Sequence, residues 1–453
     1  MLHLQKISEL IPFGHNLRKH FTLSNLLLLI LLAAGIVEGV WGILQMFGLA
    51  AAGNTRFHVT GSFYNPGPFG CFLGTIFPLA IHTYFASKCK TFRVIAFIYV
   101  IFTAFLLPGG MSRTGWICAI VGSLVSLSGI YMPKLRSFSR KKQLSISAAA
   151  LTIIIAAGIG AYYLKQDSAD GRALMRHIAT EAALKAPITG VGWENVAGTY
   201  GNEQEAFFSN GNATPKQEMI AGVPAFVFNE YLQIAIAFGI PCAIFFTFLL
   251  FSALFIYIKN RKFEFAGIIA AIAICCMFSY PFQFIEFKLL TCICIIYAFT
   301  LLNNKAIKFS SVAIVLFTSL LFITHTPQCR IDIEFRIAQN TRDLKQYRKS
   351  NEQLFALLPR TADPMPLNII GRNYQDLGRR DSAEYFFNRA SQRVPNRLYP
   401  HYLLMKLYAE NSNDSLLMQR EANILLTKQP KTHSTAVDEM REEARQLLHI
   451  AAQ

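Results

Sequence analysis

The run FTLSNLLLLILLAAGIVEGVWGILQMFGL, from Phe21 to Leu49, decides the fold class. Its one charged residue is Glu38, and it exceeds the roughly 17–25 apolar residues that cross a hydrocarbon core. Further apolar runs follow at Phe69–Phe85, Arg93–Leu107, Trp116–Met132, Leu144–Leu164, Tyr231–Ile258, Phe265–Tyr280, Phe284–Leu302 and Phe309–Thr324, with the third and last of the nine on the short side. A soluble domain has no need of so many. The expected fold class is all-α, a polytopic helical membrane protein of about nine transmembrane helices over residues 21–326. From Arg330 onward the chain turns polar and helix-prone, so residues 330–453 form a second, soluble domain. The overall 53% hydrophobic and 15% charged composition averages these unlike parts.

Net charge is +16, which raises nucleic acid as a partner. Position argues against it. The excess gathers in short loops: Lys88, Lys90 and Arg93; Lys134, Arg136, Arg140, Lys141 and Lys142; Lys259, Arg261 and Lys262; Lys305 and Lys308. Alternate loops rich in lysine and arginine mark the cytoplasmic side. Residues 1–20 are then a basic cytoplasmic leader into the first span, since the run that follows is too long for a signal-peptide core. Three segments face outward: Ala50–Pro68, Pro108–Gly115, and a large loop over 165–228. An odd number of spans puts the C-terminal domain outside as well. Most of the nine cysteines sit inside apolar runs and lack zinc-site spacing, so neither a disulfide framework nor a metal is expected.

The outward segments carry the unusual residues. Gly61-Ser-Phe-Tyr-Asn-Pro-Gly-Pro-Phe-Gly70 is too rich in glycine and proline to be helical throughout, and suits a turn or a cavity lining. Arg113, in Ser112-Arg-Thr-Gly-Trp116, stands at the membrane edge against the general charge bias. An anion such as a lipid phosphate explains it; so does snorkelling, with Trp116 anchored in the interface. In the large loop, Arg172 and Arg176 lie four apart on one helix face, where like charges call for an anion or for an acidic partner such as Asp170. Gly190-Val-Gly192 is too short for a dinucleotide fingerprint and suits a helix stop. Phe228-Asn-Glu-Tyr-Leu-Gln233 leads into the sixth span, where polar groups are costly unless paired or functional; Asn229 also suits a helix cap. Glu38 and the Glu286/Lys288 pair are expected to face the bundle interior.

In order and sidedness these segments resemble the O-antigen ligase family, which includes O-antigen polymerases and bacterial protein O-oligosaccharyltransferases. The matching pieces are Gly61 to Pro66, Ser112 to Trp116, Gly171-Arg172, Pro187 to Gly192, and Asn229 to Gln233 with Gly239, across roughly Leu31 to Leu302. The resemblance implies transfer of a glycan from an undecaprenyl-diphosphate carrier to a hydroxyl on lipid A-core, a growing glycan or a protein. It places the enzyme at the periplasmic face of the bacterial inner membrane, with no cofactor. Arg113 and Arg172 match the family's arginines and would hold the diphosphate, since a guanidinium pairs bidentately with phosphate oxygens and stays charged; Arg176 is added from its helical spacing. Asn65, Trp116, Gly190 and Gly192 would belong to the substrate-site loops. The family's histidine before the asparagine is replaced by Phe228, and a later glycine by Cys242. Phe228 cannot take a proton, so Glu230 beside Asn229 is the first candidate for general base, with Asp170, His177 and Glu194 behind it. An O-antigen polymerase, or a non-catalytic membrane scaffold or transporter, is the alternative reading.

The C-terminal domain matches a 34-residue tetratricopeptide pattern at Leu367, Ile370, Gly371, Tyr374, Ala383, Phe387, Ala390 and Pro395. Leu404, Tyr408 and Pro430 fit a second copy, Ile333–Pro359 a degenerate first, and Ser434–Ile450 a closing helix. The expectation is a tetratricopeptide-like α-solenoid that binds a protein partner or presents a protein acceptor.

Overall fold

The computed structural model describes residues 22–54, 57–110, 112–145, 166–211, 213–302, 328–431 and 434–451, together with 148, 149, 152 and 163. Every regular element among the described residues is helical. The expected leader and the ninth span, Phe309–Thr324, lie outside these residues, and most of Leu144–Leu164 does too. Two compact units emerge: Met1–Ile155 with Thr247–Ser319, and Ala156–Phe246 with Leu320–Gln453.

The first unit holds α1 (Leu23–Met46), α2 (Pro66–Ala86), α3 (Lys90–Gly109) and α4 (Arg113–Arg136), most of α9 (Ile240–Lys259), then α10 (Phe263–Phe278) and α11 (Ile285–Thr300). Of the described helices, five are long and apolar enough to cross a membrane: α1 to α4 and α9. Apolar α10 and α11 have 16 residues each, and α11 carries buried Lys288 and half-buried Glu286. Helix α2 is the hub, packing on α1, α3, α4 and α10. Its closest neighbour is α4, because a Cβ at Gly74 would run into the Gly115 carbonyl and one at Gly115 into the Gly70 carbonyl. Small residues that let two backbones meet replace the hydrophobic drive that lipid cannot supply. Further along the same pair, the Ser126 hydroxyl donates to the Pro78 carbonyl (2.8 Å). The two helices therefore run parallel, with both N-termini at one end.

The second unit begins with α5 (Gln166–Lys185), α6 (Val196–Ser209), α7 (Pro215–Ile220) and α8 (Glu230–Phe238). The sequence expectation of one span over Tyr231–Ile258 is corrected here. The backbone breaks at Gly239, and α8 is a separate helix of nine residues packed on α5. Gly239 has φ +90, and the Ile240 N–H that follows donates to the Pro187 carbonyl (2.7 Å) rather than continuing the helix. The spanning helix starts at Ile240.

Beyond these lie α12 (Gln328–Asp343), α13 (Tyr347–Leu357), α14 (Met365–Asp376), α15 (Arg380–Arg393), α16 (Tyr399–Ala409), α17 (Ser415–Thr427) and α18 (Thr435–Ala451). They pair as α12/α13, α14/α15 and α16/α17; each pair packs on the next, and α18 closes on α17. Gly371 leaves room for the Phe387 ring where α14 crosses α15. Leu367, Ile370 and Ala390 fill one core, and Leu404, Tyr408 and Ala422 the next.

These helices also hold the large loop. Fully buried Arg393 and neighbouring Arg389 both grip Glu205 on α6, at 2.9 Å and 2.6 Å. Burial holds the Arg393 guanidinium below its usual range, and the Glu205 carboxylate opposes that shift. The Gln204 amide donates to the Arg393 carbonyl (2.6 Å), and the Asn396 amide faces the carbonyls of Glu218, Met219 and Ala221. Lys428 reaches Glu218 (2.9 Å). Part of the C-terminal surface that the sequence offered to an outside partner is thus occupied by the chain's own loop.

Candidate functional site

Within the first unit, the Gly61–Gly70 and Ser112–Trp116 motifs meet at the N-termini of α2 and α4. The Asn65 side chain accepts from the Gly67 N–H (2.8 Å) and caps α2. Ser112 caps α4 by accepting from the Gly115 N–H (3.3 Å), and its hydroxyl donates to the Gly67 carbonyl (3.1 Å). Two parallel helix N-termini therefore stand side by side, each with the positive end of its dipole outward. Half-buried Arg113 is the first residue of α4 and adds a full charge at this corner. Such an arrangement favours an anion.

The rest of the corner is scaffolding. Glu38 of α1 accepts from the Ser62 N–H (3.0 Å) and hydroxyl (2.6 Å), so the carboxylate expected to pair internally holds the 61–63 turn. Gln45, which sequence reasoning did not single out, accepts from the N–H groups of Thr60 and Gly61, both at 2.8 Å, and donates to the Gly61 carbonyl (2.9 Å). A glutamine inside an apolar run was the available signal. The Trp116 indole N–H donates to the Leu107 carbonyl (2.8 Å) and ties α3 to α4. Its polar edge serves the fold.

In the second unit, Arg172 lies over the Phe228 ring, 5.1 Å from its centroid. The residue that replaces the expected histidine thus seats one of the expected phosphate-binding arginines through a cation–π contact. The Phe228 N–H donates to the Met175 sulfur (3.4 Å), fixing the segment against α5. Half-buried Arg176 follows one turn after Arg172 on the same helix. Asn229 is the N-cap of α8, accepting from the Leu232 N–H (3.1 Å). Glu230 is the first residue of α8 and is 0% exposed, so an acceptor hydroxyl reaches it only if the surrounding loop moves. Buried Gln233, also missed as a site residue, receives the Val227 N–H (2.8 Å) and closes the turn before α8.

Other base candidates are placed elsewhere in the unit. Asp170 meets Lys216 of α7 (2.6 Å), exposed His177 meets the Phe207 ring edge-on, and Glu194 is exposed in the 193–195 turn. Gly190 and Gly192 finish the far end of α8. The Val191 and Gly192 N–H groups donate to the Ile236 and Ala237 carbonyls, both at 2.9 Å. At Gly190, φ is +67 and a Cβ would strike the Ala237 carbonyl carbon. Gly190→Ala is expected to cost about 2–4 kcal/mol through left-handed strain plus this clash, read as a lower melting temperature of the purified protein.

Arg113, Asn65 and Trp116 therefore belong to the first unit, and Arg172, Arg176, Gly190, Gly192, Asn229 and Glu230 to the second. The segment from the middle of α3 to the first turns of α9 contains both arginine motifs. Residues 98–247 match the family model described as O-Antigen ligase. This O-antigen ligase-like segment covers about a third of the chain, and includes the Ser112–Trp116 motif, the whole large loop and α8. No curated protein and no solved structure matches the chain. The match supports a glycosyltransferase-like role in glycan processing and implies a lipid-linked glycan substrate at a membrane.

Proposed function

We propose that this protein is an O-antigen ligase-like glycan transferase of the bacterial inner membrane, acting at the periplasmic face on an undecaprenyl-diphosphate-linked donor. The acceptor is a hydroxyl of lipid A-core or of a protein. The observation that supports this most is the family match over the segment holding Arg113, Arg172 and Arg176. In the reaction, the acceptor oxygen bonds to the anomeric carbon as the bond from that carbon to the diphosphate breaks. The leaving diphosphate keeps the electron pair. Fixed cations contribute most where such negative charge grows, and Arg113 of the first unit and Arg172 and Arg176 of the second are each candidates for that role. The hydroxyl proton passes to Glu230, reached when the loop opens, while Asn229 sets the start of the helix that carries it.

The C-terminal helix pairs fit a tetratricopeptide-like solenoid with two roles: bracing the large loop and presenting a protein acceptor on the surface that remains. Transfer from the lipid-linked donor in isolated membranes tests the whole reading. Glu230→Gln is expected to slow turnover by about 10²–10⁴-fold while donor binding is kept, the range for a lost general base. Wild-type turnover in that variant rules Glu230 out as base. Absence of transfer by the wild-type protein to either acceptor class favours the scaffold reading, in which Phe228 marks a lost activity.

A further inference from the structure

At the opposite end of α2 from Asn65, the turn into α3 opens a cleft lined by Tyr84, Lys88, Lys90, Arg93, Val94 and Phe97. Its volume is ≈ 420 Å³, within the range of small-molecule sites. Lys88, Lys90 and Arg93 are exposed, and the Arg93 guanidinium is held 5.7 Å from the Tyr84 ring centroid. The sequence from Gly39 to Gln166 contains no aspartate or glutamate, so this cleft has no acidic neighbour along the chain. Glu264 on α10 faces His82 and Lys262. Three cations therefore converge without a carboxylate partner among the described residues.

Two of the walls are apolar. Val94 and Phe97 are each 48% exposed, on a face of α3 continued by Ile98, Ile101 and Phe105. That face is made for acyl chains, so the cleft adjoins the level where headgroup gives way to hydrocarbon. The 21 residues of α2 rise about 31 Å, the thickness of a hydrocarbon core. The cleft thus lies in the leaflet opposite the Asn65 and Arg113 corner, the leaflet that the basic loops mark as cytoplasmic.

We propose that this cleft is a binding site for the phosphate headgroup of an anionic phospholipid, with Lys88, Lys90 and Arg93 as its ligands and Val94 and Phe97 against its acyl chain. A basic residue beside a leaflet is worth about fivefold in affinity. The test uses the purified full-length protein in phosphatidylcholine nanodiscs doped with fluorescent phosphatidylglycerol. Replacing Lys88, Lys90 and Arg93 together with glutamine is expected to weaken capture of the labelled lipid on the order of 100-fold. Replacing Lys134 and Arg136, in the last turn of α4 and outside the cleft lining, is expected to leave it unchanged. Should the triple variant fail to elute as a folded protein, Lys88→Gln and Arg93→Gln alone are each expected to lose about fivefold. Wild-type capture by these variants, or an equal loss in the Lys134/Arg136 control, overturns the proposal. Displacement by inorganic phosphate as effective as by unlabelled phosphatidylglycerol overturns it too, in favour of a soluble anion. None of these readouts depends on glycan transfer.

Discussion

Arg113→Ala and Arg172→Ala are each expected to lower glycan transfer by about 10²–10³-fold, the loss seen when one fixed donor to a developing negative charge is removed. The two arginines sit differently. Arg113 stands at the paired N-termini of α2 and α4, so in Arg113→Ala the two helix dipoles remain and a weak anion site survives. Arg172 is held over Phe228, so Arg172→Ala also removes what packs on that ring. Arg113→Lys separates charge from shape: it keeps the cation and loses the bidentate fork, and an intermediate rate is expected. Donor turnover in membranes from strains expressing each variant at equal level is the measurement. Full activity in both alanine variants would remove the diphosphate role.

Glu205→Ala should cause the largest loss of stability. It leaves the guanidinium of Arg393, 0% exposed, inside the junction of α6 and α15 without its carboxylate. Breaking a buried pair from one side costs about 3–5 kcal/mol. Arg389→Ala removes a pair whose arginine is 24% exposed and should cost about 1 kcal/mol. Arg393→Ala falls between, because Glu205 keeps Arg389 while the bond to Asn202 is lost. Melting of the detergent-purified variants gives the order, and limited proteolysis in the turn between α6 and α7 shows whether the loop has come loose. Coincident melting of Glu205→Ala and wild type would mean that the junction contributes little.

Much of the first unit was legible in sequence because lipid imposes a single requirement. Without water, a backbone satisfies its own hydrogen bonds, so apolar length alone announces a helix. The spans at α1 to α4 follow from that. The break at Gly239 did not, because α8 is apolar enough to read as one run with the helix after it. What separates them is the Pro187 carbonyl accepting from Ile240, a contact between residues distant in sequence. The motif residues divide on the same principle. Asn229 was visible as a capping type ahead of a helical run, and a cap is a local event; Asn65 and Ser112 cap α2 and α4 in the same local way, though the sequence reading took them only as parts of motifs. The duties of Glu38, Gln45, Trp116 and Gln233 were hidden, since each is set by which backbone group the fold brings to it.

The C-terminal helices show the boundary most clearly. Their pairing was written in periodic small and aromatic residues, since each helix pair is a short-range unit. That they clasp the large loop was not, because Glu205 and Arg393 are ordinary charged residues until folding buries them together. By itself, then, the sequence determined an all-helical chain with several helices apolar and long enough to cross a membrane. Only the tertiary structure decided where α8 parts from its span, which polar groups hold the motif turns, and what the last helices grip. Local periodicity governs the first set, and the second depends on partners that only packing can choose.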